Sequence, residues 1–316
     1  MTRAFVTGVN GQDGSYLVER LLADGVEVHA LAHDLEPLPD LPGVHLHVGD
    51  VTDTGDVRRL LLDLAPDEVY NLAAVSSVAR SWSEPVLTGR VNGLAAAALL
   101  DAALAAQDKH SRQVRFVQAS SAEIFGQPDH SPQDETTPVR PVNPYGAAKA
   151  YAHLLVDVYR RRGLHAVSLI LYNHESPRRP THFVSRKITS TVAAIAQGRA
   201  TRLTLGNLDA RRDWGWAPDY VDALVRAARA ASPDDYVIAT GTAHSVRDFV
   251  AAAFEQVGIT DWEPWVFVDP ELVRPADASE LVGDSSKARS ELGWAPTLGF
   301  AEVVAQMVAA DLAASG

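Results

Sequence analysis

The chain of 316 residues carries a net charge of −12, with 47% hydrophobic and 22% charged residues and no cysteine. This is the composition of a globular protein long enough for a large core. It excludes disulfides, thiolate catalysis and cysteine-based metal sites, and its acidity argues against a nucleic-acid partner, which would need a basic surface. The eleven histidines show no H-E-x-x-H spacing. His45 and His47 alternate on one strand face and read as surface residues, so no metal is expected. No signal-like stretch precedes the first strand pattern, and the Ala/Leu-rich piece Leu94 to Leu100 is cut by Asp101, too short to span a bilayer. The expectation is a cytoplasmic protein with no membrane partner.

Arg3 to Thr7 is predicted as a short strand. Gly8-Val9-Asn10-Gly11-Gln12-Asp13-Gly14 follows, and then a helix with Tyr16, Leu17, Leu21 and Leu22 on its apolar face. Glycines in a strand-to-helix turn let the backbone approach a pyrophosphate, whose charge sits on free N–H groups at the helix start. A second strand, Val26 to Leu31, ends at Ala32-His33-Asp34, where a dinucleotide fold meets the adenosine ribose. No Lys or Arg stands between Arg20 and Arg58 to meet a 2′-phosphate, so the reading leans to NAD over NADP, with His33 or Asp34 near the ribose. Val44 to Val48 gives a third strand running into Gly49-Asp50-Val51, with Asp50 placed for the adenine amino group. Val69 to Leu72 gives a fourth, whose exit at Ala73-Ala74 lets a nicotinamide-bearing chain pass close to the backbone. Ser76, Ser77 and Arg80 follow in a loop before a long Ala/Leu helix. Alternating strands and helices of this kind spell an α/β fold, a doubly wound parallel sheet.

Val114 to Val117 reads as a buried parallel strand ending in Gln118-Ala119-Ser120-Ser121-Ala122-Glu123. Asn143-Pro144-Tyr145-Gly146-Ala147-Ala148-Lys149 opens a helix, with Asn143 as N-cap and Pro144 in the first turn, where a missing N–H costs nothing. Tyr145 and Lys149 share one helix face. A hydroxyl, a carboxylate, a phenol and an ammonium can thus meet at the carboxyl end of the sheet, where such folds bind ligands.

Ala166 to Leu171 is a further strand. Tyr172 to Pro180 is polar and proline-broken, Arg186 and Lys187 lie on a helix starting near Phe183, and Leu205 to Trp214 brings Arg211 and Arg212. Basic residues concentrate here and at Arg274, which fits a diphosphate-bearing substrate. Surface pairing with Glu175, Asp209 and Asp213 is the alternative, of equal weight for Arg178 and Arg179. Tyr236 to Ala239 is a strand, Val246 to Val257 and Ser285 to Leu292 are helices, and a last helix runs from about Phe300. The expected division is a dinucleotide-binding part, residues 1–172 with 215–243 returning to it, and a smaller C-terminal α/β substrate-binding lobe, residues 173–214 and 244–316.

Gly8-x-x-Gly11-x-x-Gly14, Tyr145-x-x-x-Lys149 and the long C-terminal part resemble the extended short-chain dehydrogenase/reductases. Within them, the runs GVNGQDGSY (Gly8 to Tyr16), QASSAEIFG (Gln118 to Gly126), NPYGAAK (Asn143 to Lys149), NHESPRR (Asn173 to Arg179), FVSRKI (Phe183 to Ile188) and LGNLDARRDWG (Leu205 to Gly215) resemble GDP-mannose 4,6-dehydratases over essentially the whole chain. The resemblance implies that Tyr145, its phenol acidified by Lys149 and the oxidised nicotinamide, takes the proton of a sugar 4-hydroxyl while C4 hydride passes to a tightly bound, recycled NAD(P). It implies that Ser121 holds the C4 oxygen, that Glu123 removes the C5 proton and assists loss of the C6 hydroxyl, and that hydride returns to C6. Lys149 would also hold the nicotinamide ribose. Ser76, Ser77, Asn173, Glu175, Val184, Lys187, Arg212 and Arg274 would hold the nucleotide-diphosphate sugar. His33-Asp34 stands where the family has an arginine pair for a 2′-phosphate. Ser76-Ser77-Val78 with Arg80-Ser81-Trp82 also resembles GDP-4-keto-6-deoxymannose reductases and sugar-nucleotide epimerases, so a 4-epimerase or 4-keto reductase is the alternative reading. The superfamily implies a homodimer through the helices after Pro85 and Pro144, with a tetramer as the other possibility.

Overall fold

The computed structural model describes residues 1–33, 41–272 and 280–314; Asp34 and Arg274 lie outside the described residues. Six strands open the chain: β1 Arg3–Thr7, β2 Glu27–Ala32, β3 Val44–Val48, β4 Glu68–Asn71, β5 Arg115–Ala119 and β6 His165–Leu171. Three further strands are β7 Asn173–Glu175, β8 Leu203–Leu205 and β9 Arg211–Trp216, and β10 Asp235–Ile238 returns to the first sheet. That sheet has the order β10-β6-β5-β4-β1-β2-β3 and every pairing in it is parallel. Strand order reverses between β1 and β4, which opens a crevice at their carboxyl ends. Central strands are covered on both faces and are largely apolar; β6 is buried along its whole length, its His165 and Ser168 included. β3, at the edge, keeps its histidines on one face instead.

Helices α1 Gln12–Ala23, α2 Thr54–Leu64, α3 Val78–Ser83, α4 Pro85–Gly89, α5 Ala95–His110, α6 Pro144–Arg161, α7 Val184–Ala196 and α8 Ala217–Ala228 come next in chain order. The last three are α9 Val246–Glu255, α10 Ser286–Leu292 and α11 Phe300–Ala314. One face of the sheet packs on α1 and α8 through Leu17, Leu21, Leu224 and Trp294, the other on α2 and α5 through Phe5, Leu61, Leu99 and Phe116. A separate apolar cluster joins α7, α9 and α11 around Trp214, Phe249 and Met307. There Phe249 meets Trp214 edge-on at 5.2 Å between ring centroids and Phe300 at 5.6 Å.

The strands expected from the sequence are present within one or two residues, and Phe183, Ser285 and Gly293 bound their helices as anticipated. Two departures have physical causes. The fourth strand ends at Asn71 rather than Leu72, because the Thr7 hydroxyl accepts from the N–H groups of Leu72 (3.2 Å) and Ala73 (3.1 Å) and draws the chain out of the ladder. The Ala/Leu helix after Pro85 is not uniform: a π-helical turn at Arg90–Leu94 joins α4 to α5. Its Asn92 side chain accepts from Val75 N (2.8 Å) and donates to Val75 O (3.0 Å), clamping the loop that leaves β4.

Phe249→Ala is expected to lower unfolding free energy in urea by about 3–5 kcal/mol, the usual cost of emptying a buried aromatic site. A loss below about 1 kcal/mol would show that the Trp214–Phe249–Phe300 cluster is not a continuous core.

Candidate active site

The glycine turn is built for close backbone packing. Gly8 has φ +74°, and a Cβ on it would lie 2.7 Å from the Leu72 carbonyl carbon. A Cβ on Gly14 would lie 2.2 Å from Gly8 O. α1 starts from Gly11 with no side-chain cap, so the N–H groups of its first turn are left for a ligand. A turn that tolerates no side chain at Gly8 or Gly14, opening an uncapped helix between parallel strands, fits a dinucleotide pyrophosphate. At the ends of the neighbouring strands, Asp50 accepts from Thr52 N (2.7 Å) and lies 3.5 Å from the His33 ring.

Beyond this turn lies a cavity of about 240 Å³. Among the residues assigned from sequence, Asp13, Leu72, Ala74, Ser76, Ser77, Ser121, Glu123, Tyr145, Lys149, Asn173, Glu175, Val184 and Arg212 line it. Gly8, Asn10, Gly11, Gln12, Gly14, His33, Asp50, Val51, Ala73 and Lys187 do not; apart from Lys187, these lie on the glycine turn and at the ends of β2, β3 and β4.

Ser121 and Glu123 leave β5 in a short turn, the Ser121 hydroxyl accepting from Glu123 N at 3.2 Å. Asn143 does two jobs. Its Oδ1 accepts from Gly146 N (2.7 Å) and caps α6, while its Nδ2 donates to Glu123 Oε2 at 2.8 Å. α6 approaches so closely that a Cβ on Gly146 would lie 2.4 Å from Glu123 O. One polar residue therefore starts the helix that carries Tyr145 and Lys149 and also orients the carboxylate beside them. Lys149 is 3% exposed and donates to Ala119 O at 2.9 Å.

Burial pushes the Tyr145 phenol up to about 12, with Glu123 adding to the rise and a hydrogen bond with Ser121 opposing it. Burial pushes the Lys149 ammonium down to about 8, against the attraction of Asp13. The ammonium sits 5.9 Å from the phenol ring centroid and is directed to the Ala119 carbonyl, so desolvation dominates.

The sequence reading missed a second charged pair. His174 donates through Nδ1 to Tyr172 O (2.7 Å), and its Nε2 lies 2.9 Å from Asp13 Oδ2, a geometry satisfied when both ring nitrogens carry protons. Burial alone would lower the imidazole, but the charge and hydrogen bond of Asp13 outweigh it and hold His174 above its ordinary value of 6.5. Burial likewise favours the neutral form of Asp13, yet His174, Gln12 and Arg179 together hold it below 3.8. Gln12 bonds Asp13 Oδ1 and His174 O and accepts from Ser176, so its amide is a strut between the glycine turn and β7.

The two arginines of equal weight part company. Arg178 leaves the cavity to bond Ser15 and Glu19 and stack on Tyr16, joining the segment after β7 to α1. Arg179 lines the cavity, held by Glu175 at 3.4 Å and by the Phe183 ring at 3.8 Å. Glu175 also accepts from Ser185 at 2.5 Å, so its carboxylate positions Arg179. Arg186 is turned away, paired with Asp311 of α11. The run NHESPRR signalled a site but not which member points inward, since that depends on the pairing of β7 with β9.

A Rossmann-type sheet with Ser121, Tyr145 and Lys149 at its strand ends defines a nicotinamide-dependent enzyme of the short-chain dehydrogenase/reductase class. The family model described as GDP-mannose 4,6 dehydratase matches residues 5–307, and the chain belongs to that family. It is 43% identical to GDP-mannose 4,6 dehydratase 1 of Arabidopsis thaliana, over 98% of this chain and 89% of that one. It is 42% identical to the Homo sapiens GDP-mannose 4,6 dehydratase, over 98% and 91%. Among solved structures it resembles the Thermus thermophilus UDP-glucose 4-epimerase in complex with NAD, with a TM-score of 0.85, 30% identity and coverage of 98% and 99%.

The pair Asp13–His174 makes a pH-dependent prediction. Asp13 contributes stability above its unfolded value of 3.8 and loses it as pH falls through its depressed folded value. His174 contributes below its unfolded value of 6.5 and loses it as pH rises through its raised folded value. Between 3.8 and 6.5 both contributions are complete. Imidazole NMR shifts should show His174 titrating above 6.5 in the native protein and below it in Asp13→Asn; an unchanged titration in the variant would remove Asp13 as its partner.

Proposed function

We propose that the protein is a nucleotide-sugar 4,6-dehydratase that converts GDP-mannose to GDP-4-keto-6-deoxymannose, with NAD as the bound dinucleotide. One observation carries the reading beyond the shared oxidoreductase set. A carboxylate, Glu123, lines the same cavity as Ser121 and Tyr145 and is aimed by Asn143. Epimerisation or reduction at C4 needs no base near C5 and C6; elimination does. The named relatives support the sugar and the base of the nucleotide.

In this reading residues 1–172 and 215–243 hold the dinucleotide, and residues 173–214 and 244–316 hold the nucleotide sugar. The turn from Gly8 to Gly14 takes the pyrophosphate, His33 and Asp50 face the adenosine, and Lys149 holds the nicotinamide ribose. A nicotinamide held by Lys149 at its ribose would supply the hydride exchange, from C4 of the sugar and back to C6. Tyr145 takes the proton of the 4-hydroxyl and Ser121 holds the same oxygen. With a ketone at C4 the C5 proton is acidic; Glu123 removes it, the C6 hydroxyl departs as water with that proton returned from Glu123, and once C6 has gained hydride C5 takes up one proton, which balances the one Tyr145 took from the 4-hydroxyl. Asn143 keeps the carboxylate in place through both transfers. Arg179, Arg212 and His174 supply positive charge along the cavity in an otherwise acidic protein.

An apolar stripe supports a homodimer. Tyr151, Leu154 and Val158 follow one face of α6 and are 45%, 58% and 49% exposed, beside Trp82, Val86 and Leu94 at 48%, 74% and 56%. Large side chains gathered on adjacent helices mark an association surface.

Direct measurements test this. GDP-mannose incubated with the purified protein, without added NAD(P)H, should yield a product lighter by one water, and the dinucleotide released from the same protein should weigh as NAD. Glu123→Gln should lose water release by roughly 10²–10⁴-fold while still accumulating reduced cofactor; an epimerised product of unchanged mass would overturn the dehydratase reading. Leu154→Glu should convert a dimer to a monomer in light scattering, whereas a monomeric native protein would refute the interface.

A further inference from the structure

A second cluster of chemistry-bearing side chains lies on β2 and the edge strand β3, with β4 and β1 between it and the strand that leads into Ser121. Parallel pairing of β2 with β3 sets His29 directly opposite His45, and His47 one step along the same face. Sequence spacing showed only His45 and His47; the third imidazole and a carboxylate come from the neighbouring strand. His29 is 7% exposed, Glu27 and His47 are half-buried, and His45 is open to solvent. His29 Nε2 lies 3.0 Å from Glu27 Oε1, and His29 Nδ1 lies 3.0 Å from His47 Nε2. The His45 ring stacks on His29 with centroids 4.6 Å apart. A ligand atom from each of Glu27, His29 and His45 falls within 4.8 Å of the others.

We propose that Glu27, His29 and His45 form a surface site for a borderline transition-metal dication such as zinc, oriented by His47. Two imidazoles and one carboxylate with an open position are a donor set suited to Zn²⁺, Cu²⁺ or Ni²⁺ rather than to the harder Mg²⁺. The 3.0 Å between His29 Nε2 and Glu27 Oε1 is close to the spacing of neighbouring ligands about an ion bound at roughly 2.0–2.2 Å, so the ion would replace the proton they now share. His29 then donates its other N–H to His47 Nε2, the outer-shell bond that fixes tautomer and ring plane in metal-bound histidines. Arg3 bonds the same carboxylate, with Nε 3.2 Å from Glu27 Oε1 and Nη2 3.2 Å from Oε2, which steadies it but sets a positive charge beside the site. That charge limits the affinity and leaves the imidazoles as the dominant ligands. A bound ion would tie the edge strand β3 to β2.

The test uses tag-free, metal-stripped full-length protein titrated with Zn²⁺ in a calorimeter at neutral pH. One equivalent should bind, and His45→Gln should weaken it by about tenfold or more without changing the fold, since His45 is exposed. Glu27→Gln should weaken it as well. Co²⁺ should give a visible ligand-field band in the native protein that is absent in His45→Gln. Absence of saturable Zn²⁺ binding, or a His45→Gln variant that binds as tightly as the native protein, would overturn the proposal.

Discussion

The structure depends on a string of buried hydrogen bonds across the carboxyl ends of three parallel strands. Thr7 donates to Asn71 (2.8 Å), Asn71 donates to Gln118 (2.9 Å), and Gln118 donates to Ala119 O, which also accepts from Lys149. Thr7, Asn71 and Gln118 are each at most 3% exposed, so a broken link would leave an unpaired polar group without water. The string holds β1, β4 and β5 in register where they diverge. It ends on the ammonium next to Tyr145. Sheet architecture and the position of Lys149 are thus one problem with one solution.

The same economy governs the charges. The protein is acidic overall, yet its cavity gathers Lys149, His174, Arg179 and Arg212. Each of the first three is held by a named partner: the Ala119 carbonyl, Asp13 and Glu175. One of these partnerships crosses between segments, since Asp13 belongs to the glycine turn and His174 to β7. Gln12 and Arg178 reinforce that junction. The glycine turn and the segment that begins with β7 therefore share a border built from an ion pair and amide hydrogen bonds, which keeps the two in one frame.

Much of this was legible before any coordinates. Mostly apolar runs such as Val114 to Val117, broken only by Arg115, identified parallel strands, because strands covered on both faces favour them. Glycine spacing and the Asn143-Pro144 start marked two helix N-termini for local reasons that need no tertiary information. Other features were illegible for an equally definite reason. Asn143 looked like a cap and nothing more, since its bond to Glu123 spans a loop whose path the sequence does not encode locally. Arg178 and Arg179 were indistinguishable, and packing against Tyr16 and Phe183 separated them. His29 escaped notice beside His45 because strand register, not spacing, brings them face to face.

The sequence by itself determined the doubly wound fold and the family, and it singled out the glycine turn and Ser121, Glu123, Tyr145 and Lys149, since each rests on short-range pattern and on family runs that cover the chain. Only the tertiary structure decided which charges face the cavity and what aims them. It also decided that burial, not the neighbouring ammonium, dominates the Tyr145 phenol in the protein alone. Proton affinities and side-chain directions depend on what lies within a few ångströms in space, and those neighbours, Asp13 with His174 or Asn143 with Glu123, come from distant points of the chain.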